Sequence, residues 1–269
     1  LLVTLALARP TEGGAWSFDG TDTVVSYDGP GGLVRVWYSV EGNNQVLQGD
    51  DDGTGVPDFV ESVASTAENV LEVYEGAGFR LPLGDSGKGG SDALDAYLVD
   101  FGGDADGLWA SECGGGTGAC SGYFTMENDF QGYGYADVDE AVRVLTSHEL
   151  FHGVQAAYAQ SEAVWFLEGT AVWGEHLYDP YNDDFLRFCS AYLDDVSRSL
   201  SEPPAGPVPT FAYATAIWWF HLADTYGDDV IVELMEAFAD APGDDELLVA
   251  MSEVLAGRGG SLEGDFVRF

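Results

Sequence analysis

From Asp137 the hydrophobic pattern of this chain turns helical and mostly stays so, and that change limits its fold more than any other feature. Upstream, short apolar or alternating segments are divided by Gly and Asp. Val24-Val25-Ser26-Tyr27 and Leu33-Val34-Arg35-Val36-Trp37-Tyr38 flank Asp28-Gly29-Pro30-Gly31-Gly32, which predicts two strands and a turn within 15–40. A helix is expected from Pro57 to about Glu75, with Phe59, Val63, Val70, Leu71 and Val73 on its apolar face. A buried strand is expected over Ala93–Phe101, a Gly- and Asp-rich loop over 102–122, and a short edge strand at Tyr123–Met126. Downstream, Asp137 and Glu140 form a capping box, and Val138, Val142, Leu145, Glu149 and His152 follow at helical spacing. Further helices are expected near 163–177, 183–197, 211–225, 228–240 and 244–256, with Pro203-Pro204 and Pro207-Val208-Pro209 separating two of them. Strands first and helices later predict an α+β fold. We read one domain over 9–269, with an α/β part carrying a mixed sheet to about 136 and a helical part from about 137.

A chain of 269 residues with 46% apolar residues can bury a large core. Its charge is lopsided: 47 Asp and Glu face 9 Lys and Arg, for a net charge of -38. Such a surface repels nucleic-acid phosphates and anionic membranes, so a nucleic-acid partner is not expected. Salt or bound cations would relieve the self-repulsion. A saline or calcium-rich habitat and a GC-rich coding bias both account for this composition. The run Leu1–Ala8 ends in the small-x-small pattern of a signal-peptidase site. It reads as a signal-peptide remnant of a secreted protein or as a buried N-terminal strand. No apolar run reaches the roughly 18 residues of a membrane span. Cys113 and Cys120 bracket a Gly-rich hexapeptide and are expected to form a small disulfide loop, leaving Cys189 over. The end at Phe269, soon after Leu262-Glu263, suggests that the chain is cut short.

Chemistry concentrates in the helix after Asp137. His148-Glu149-Leu150-Phe151-His152 places two His four residues apart, on one helical face, where both imidazoles can share a metal. Glu149 projects beside them and can reach a metal-bound water. A catalytic zinc needs a third protein ligand. Glu168 is a carboxylate within the apolar run Trp165–Glu175, and ligation would remove the cost of burying it. Small Gly169 and Ala171 are expected to let its helix pack against the first. Glu175 lies two turns further on the same face, as either a hydrogen-bond partner of a zinc His or a solvated charge. His176 and His221 stand at no recognised ligand spacing.

H-E-x-x-H followed by W-x-x-E-G-x-A resembles the gluzincin metallopeptidases. The metzincin pattern fails, since Gln155 and Tyr158 stand where it needs Gly and His. The chain is also similar, over nearly its whole length, to a bacterial family described mainly as secreted metalloproteases. That resemblance rests on Val56–Glu61, Leu94–Leu98, Ser121–Tyr123, His148–Gln155, Trp165–Glu175 and Tyr213–Gly227. It implies a zincin-like helical half, zinc on His148, His152 and Glu168, Glu149 as general base, and hydrolysis of peptide bonds in a protein or peptide substrate. It also sets Tyr213 where relatives carry a Tyr that stabilises the oxyanion, although a packing role beside Trp218 and Trp219 explains that residue equally. Ala216 stands where relatives often have Gly. The alternative function is an inert zinc- and calcium-binding extracellular domain acting in adhesion or matrix assembly.

The acidic segment 50–61 fits a twelve-residue calcium loop. Asp50, Asp52, Thr54, Val56 (by its carbonyl), Asp58 and Glu61 occupy the ligand positions and Gly55 the sixth. Thr54 replaces the usual Asp or Asn, and no clear helix precedes the segment. An acidic turn capping the helix that follows is the other reading.

Overall fold

The computed structural model describes residues 8–14, 16–113, 118–160, 163–201, 210–239 and 243–269. All of the expected signal remnant 1–8 except Ala8, most of the cysteine-bracketed loop, and the prolines at 203–209 lie outside these residues.

Two strands, β1 (Val24–Asp28) and β2 (Val34–Ser39), form the expected antiparallel hairpin. Helix α1 (Asp58–Gly76) crosses over to β3 (Leu94–Val99), which runs parallel to β2. β4 (Gly107–Ser111) and β5 (Gly122–Glu127) complete a mixed five-stranded sheet in the order β1-β2-β3-β5-β4. Two expectations are corrected here. Gly107-Leu108-Trp109-Ala110-Ser111 is a strand, not part of a loop across 102–122. β5, expected at the edge, lies inside the sheet, parallel to β3 and antiparallel to β4, and every one of its residues is buried. The reason is topological. β4 turns back as a hairpin onto β5, so the chain fills the outer position first and the inner one second.

The helical half is α2 (Val138–Tyr158), α3 (Val164–Tyr178), α4 (Leu186–Leu193), α5 (Thr210–Ala214), α6 (Ala216–Tyr226), α7 (Asp229–Phe238), α8 (Asp244–Gly257) and α9 (Leu262–Arg268). The Asp137 side chain caps α2 by accepting from the Glu140 N–H at 2.8 Å, while the Glu140 carboxylate reaches back to the Ala136 N–H. The helix expected over 183–197 is shorter. The one expected over 211–225 breaks at Thr215, whose hydroxyl is drawn to the carbonyls of Ala212 and Trp165. One apolar core runs from Val34 and Leu98 on the sheet through Phe151 and Trp173 to Leu255 in α8. No helix among the described residues is long and apolar enough to cross a membrane.

The close approach of α3 to α2 rests on a glycine other than the expected Gly169. A Cβ on Gly174 would collide with the Phe151 ring of α2, so Gly174 sets the α2–α3 contact. Gly169 faces Thr215 and Trp219 instead. At the sheet end, Cys113 and Cys120 are disulfide-bonded as expected, with Cα atoms 5.8 Å apart, and clip the β4–β5 hairpin. Arg9 is buried, ion-paired with Asp85, Asp95 and Glu112. It ties the N-terminal segment to the sheet, and nothing in its sequence neighbourhood signalled that role.

Candidate metal centre

α2 is nearly all buried, wedged between the sheet and α3. His148 and Glu149 are therefore carried into the interior on a helix whose own backbone is satisfied. α3 lies against it and brings Glu168 and Glu175 to the same place. The Nε2 atoms of His148 and His152 stand 3.1 Å apart, and the Glu168 Oε2 lies 3.2 Å from the first and 3.5 Å from the second. One ligand atom from each of these residues falls within 4.8 Å of the others. Donors bound at zinc's usual distances in a tetrahedron would be separated by roughly 3.4 Å.

The far side of each imidazole is engaged. His148 Nδ1 meets Glu175 Oε1 at 2.7 Å, and His152 Nδ1 meets Gln155 Oε1 at 2.8 Å. Both partners are acceptors, so both Nδ1 atoms carry the proton and both Nε2 atoms present lone pairs. Glu168 adds a carboxylate oxygen. With both rings neutral, three acceptors thus converge with no hydrogen among them, and such a group calls for a cation or protons at its centre. The titration of the residues says the same. Burial, the largest influence on each, opposes charge, yet hydrogen bonds with Glu168 and Glu175 lift His148 well above its ordinary pKa. Glu168 lifts His152 in the same way. Against burial, the two imidazoles together pull Glu168 below the usual carboxylate range.

Glu149 behaves differently. Burial pushes its pKa up to about 7, the His charges only partly countering it, and its Oε2 has no hydrogen-bond partner among the described residues. Its Oε1 lies so close to β4 that a Cβ at Gly107 would come within 2.7 Å. Tyr213, on the short helix α5, sets its ring centroid 5.8 Å from that of His148. Burial, with the charges of Glu168 and Glu149, holds its hydroxyl protonated well above the usual range. His176 packs on Phe220 and His221 on Trp218, and neither joins the group.

Several residues here had no sequence signal. Asp106, just before β4, accepts from the Tyr135 hydroxyl at 2.8 Å and adds its negative charge to the surroundings of Glu149. Arg187 pairs with Asp184 at 3.0 Å and lies over the Tyr135 ring. In the sequence Gln155 is a mismatch to the metzincin pattern and the last residue of the His148–Gln155 run, and neither points to a role at the metal.

The 50–61 loop also brings its carboxylates together. Asp50, Asp52 and Asp58 form a second group of potential ligands, with Asp50 and Asp52 exposed. Asp50 accepts from the N–H groups of Gly53, Thr54 and Gly55 at 2.9, 3.1 and 3.0 Å, and Asp58 from that of Asp51 at 3.0 Å. The Thr54 hydroxyl lies 3.1 Å from Glu61 and 3.4 Å from the Val56 carbonyl. α1 begins without a side-chain cap, so the capping alternative has no bond to support it.

Comparison of the sequence with family models and with curated proteins finds no match.

Proposed function

We propose that this chain is a secreted, zinc-dependent peptidase of the gluzincin type, with His148, His152 and Glu168 holding the metal. The observation that carries this reading is the convergence of three acceptors, two of them on buried residues: Nε2, Nε2 and a carboxylate oxygen, whose Nδ1 partners leave no donor among them when both rings are neutral. Two imidazoles and one carboxylate are a catalytic zinc set, which keeps a position open. When bound, zinc supplies an acidified water and a polarised carbonyl.

The protein's own groups do the rest. Glu149, with a pKa near neutrality and an unpartnered oxygen, takes the water's proton and returns it to the leaving amine. Tyr213, held protonated, donates to the oxygen on which negative charge develops. Glu175 keeps the His148 ring in the tautomer that ligates through Nε2. Secretion is supported by the disulfide, which persists in oxidising compartments.

Metal analysis paired with casein hydrolysis tests the reading. About one zinc per chain is expected, with hydrolysis abolished by a zinc chelator and restored by zinc. A chain that binds zinc but leaves casein and a panel of peptides intact would favour the inert extracellular domain.

A further inference from the structure

We propose that Gln155 is a positioning residue for the metal centre, fixing the tautomer of His152 and tying that ring to the helix that carries Glu168. The inference rests on the zinc reading above. Gln155 lies on α2, one turn beyond His152, and is buried. Its amide nitrogen donates to the Leu167 carbonyl and to the Thr170 hydroxyl, both at 2.8 Å, and its amide oxygen faces His152 Nδ1 at 2.8 Å.

These bonds leave the amide one orientation. A backbone carbonyl can only accept. The Thr170 hydroxyl gives its own hydrogen to the Phe166 carbonyl at 2.7 Å, so toward Gln155 it too is an acceptor. Both amide hydrogens therefore point at α3, and the oxygen must point at His152. An oxygen there requires the hydrogen on Nδ1, which leaves the Nε2 lone pair toward Glu168. The tautomer is set before any metal arrives.

The two ligand imidazoles are thus held by unlike devices. His148 is held by the carboxylate of Glu175 at 2.7 Å. His152 is held by a neutral amide, which orients without adding charge. That amide also grips the Leu167 carbonyl, part of the peptide unit leading into Glu168. A single side chain thereby joins the second ligand to the backbone of the third. Thr170 is buried and forms the last link.

The test compares wild type, Gln155→Met and Thr170→Val by zinc affinity in competition with a chromophoric chelator, by the imidazole Nδ1–H resonances of the zinc-loaded proteins, and by thermal unfolding. Wild type is expected to bind zinc and show hydrogen-bonded Nδ1–H signals from both His148 and His152. Gln155→Met is expected to bind zinc about ten- to a hundredfold more weakly. It should lose the protected His152 signal and keep that of His148. Thr170→Val, which leaves the Leu167 link, is expected to weaken zinc by roughly threefold and shift the His152 signal alone. Wild type that binds no zinc would defeat the metal reading itself. Wild type that binds while Gln155→Met binds equally well would overturn the positioning role alone. So would a Gln155→Met protein of lowered melting temperature whose His152 signal is unchanged. If Gln155→Met does not fold, Thr170→Val decides: a shifted His152 resonance with weaker zinc supports the proposal, and no change overturns it.

Discussion

The two acidic clusters of this protein, one around His148 and one at 50–61, stand out similarly in the sequence and differ in how they are built. In the first, Glu149, Glu168 and Glu175 are buried, and the imidazoles they surround have their outer nitrogens bonded to protein. What remains unbonded points at one place. In the second, the carboxylates are largely exposed and spend their lone pairs on the N–H groups of their own loop. Water can satisfy what is left. A largely buried set of acceptors costs several kcal/mol unless a cation or protons join it, whereas an exposed set costs almost nothing. The first arrangement therefore calls for a cation or for protons at its centre, and the second merely admits a cation.

The largest effect is expected at Glu149. Glu149→Gln keeps shape but cannot accept a proton, so casein hydrolysis should fall by about a hundred- to ten-thousandfold while zinc content is unchanged. A zinc-loaded Glu149→Gln protein with near-normal turnover would remove the general-base role. Next comes Glu168→Gln, which replaces a charged ligand atom and should weaken zinc by about a hundredfold or more, beyond the loss typical of an outer partner. Asp50→Asn with Asp52→Asn should leave zinc affinity within about twofold, since an exposed loop is screened from the centre. Equal losses from the two changes, in a chelator competition, would erase the contrast between the clusters.

The legibility of the two regions differed in the same way. His148, Glu149, His152 and Glu168 could be read because a helix fixes which residues share a face, and because a carboxylate in an apolar run needs a reason. Gln155 could not, because its role depends on where α3 lies, and an amide in a helix carries no such anomaly. Gly174 is not distinguishable from Gly169 in the sequence on similar grounds: the spacing along α3 does not say which face meets Phe151. β4 was hidden by short length and by the Gly and Asp on either side, and the inner position of β5 follows from a hairpin reversal that local pattern does not encode. The break at Thr215 arises from a hydroxyl bond to Trp165 of another helix.

Proton linkage offers a smaller effect. In metal-free protein Glu149 holds its proton up to about pH 7 when folded, while an ordinary carboxyl, like the unfolded chain's, releases it near 4.5. Its pKa is raised on folding, so the stability this group contributes is full below about 4.5 and is lost as pH rises toward 7. Glu149→Gln removes that dependence. In chelator, the variant should gain on wild type between pH 5 and 8, by about 3 kcal/mol at most. Melting curves at both pH values check this. Added zinc should narrow the gap, because a nearby cation favours the ionised carboxylate. Parallel pH responses for the two proteins would show that Glu149 ionises as an exposed group does.

The smallest effect belongs to the loop. If 50–61 takes calcium, the ion binds only the folded arrangement and stabilises it by mass action, about 1.4 kcal/mol at tenfold excess over the dissociation constant. For a domain of this size that is a rise of roughly 3 °C. Two features favour calcium over a bare acidic turn. Gly55, at the sixth position, has φ +87°, the left-handed backbone the sharp bend of such a loop needs, and Asp50, at the first, already organises the backbone behind it. The exposed carboxylates argue that the loop also stands without the ion, so its removal should lower melting without unfolding the chain. Asp50→Ala with Asp52→Ala should abolish the calcium-induced rise and leave the melting temperature in chelator nearly unchanged. A double variant that still gains the full shift would place the calcium elsewhere on this acidic surface. One that cannot fold without the ion would make the loop's acidic groups as dependent on positive charge as the His148 centre, and the distinction between the two clusters would fall.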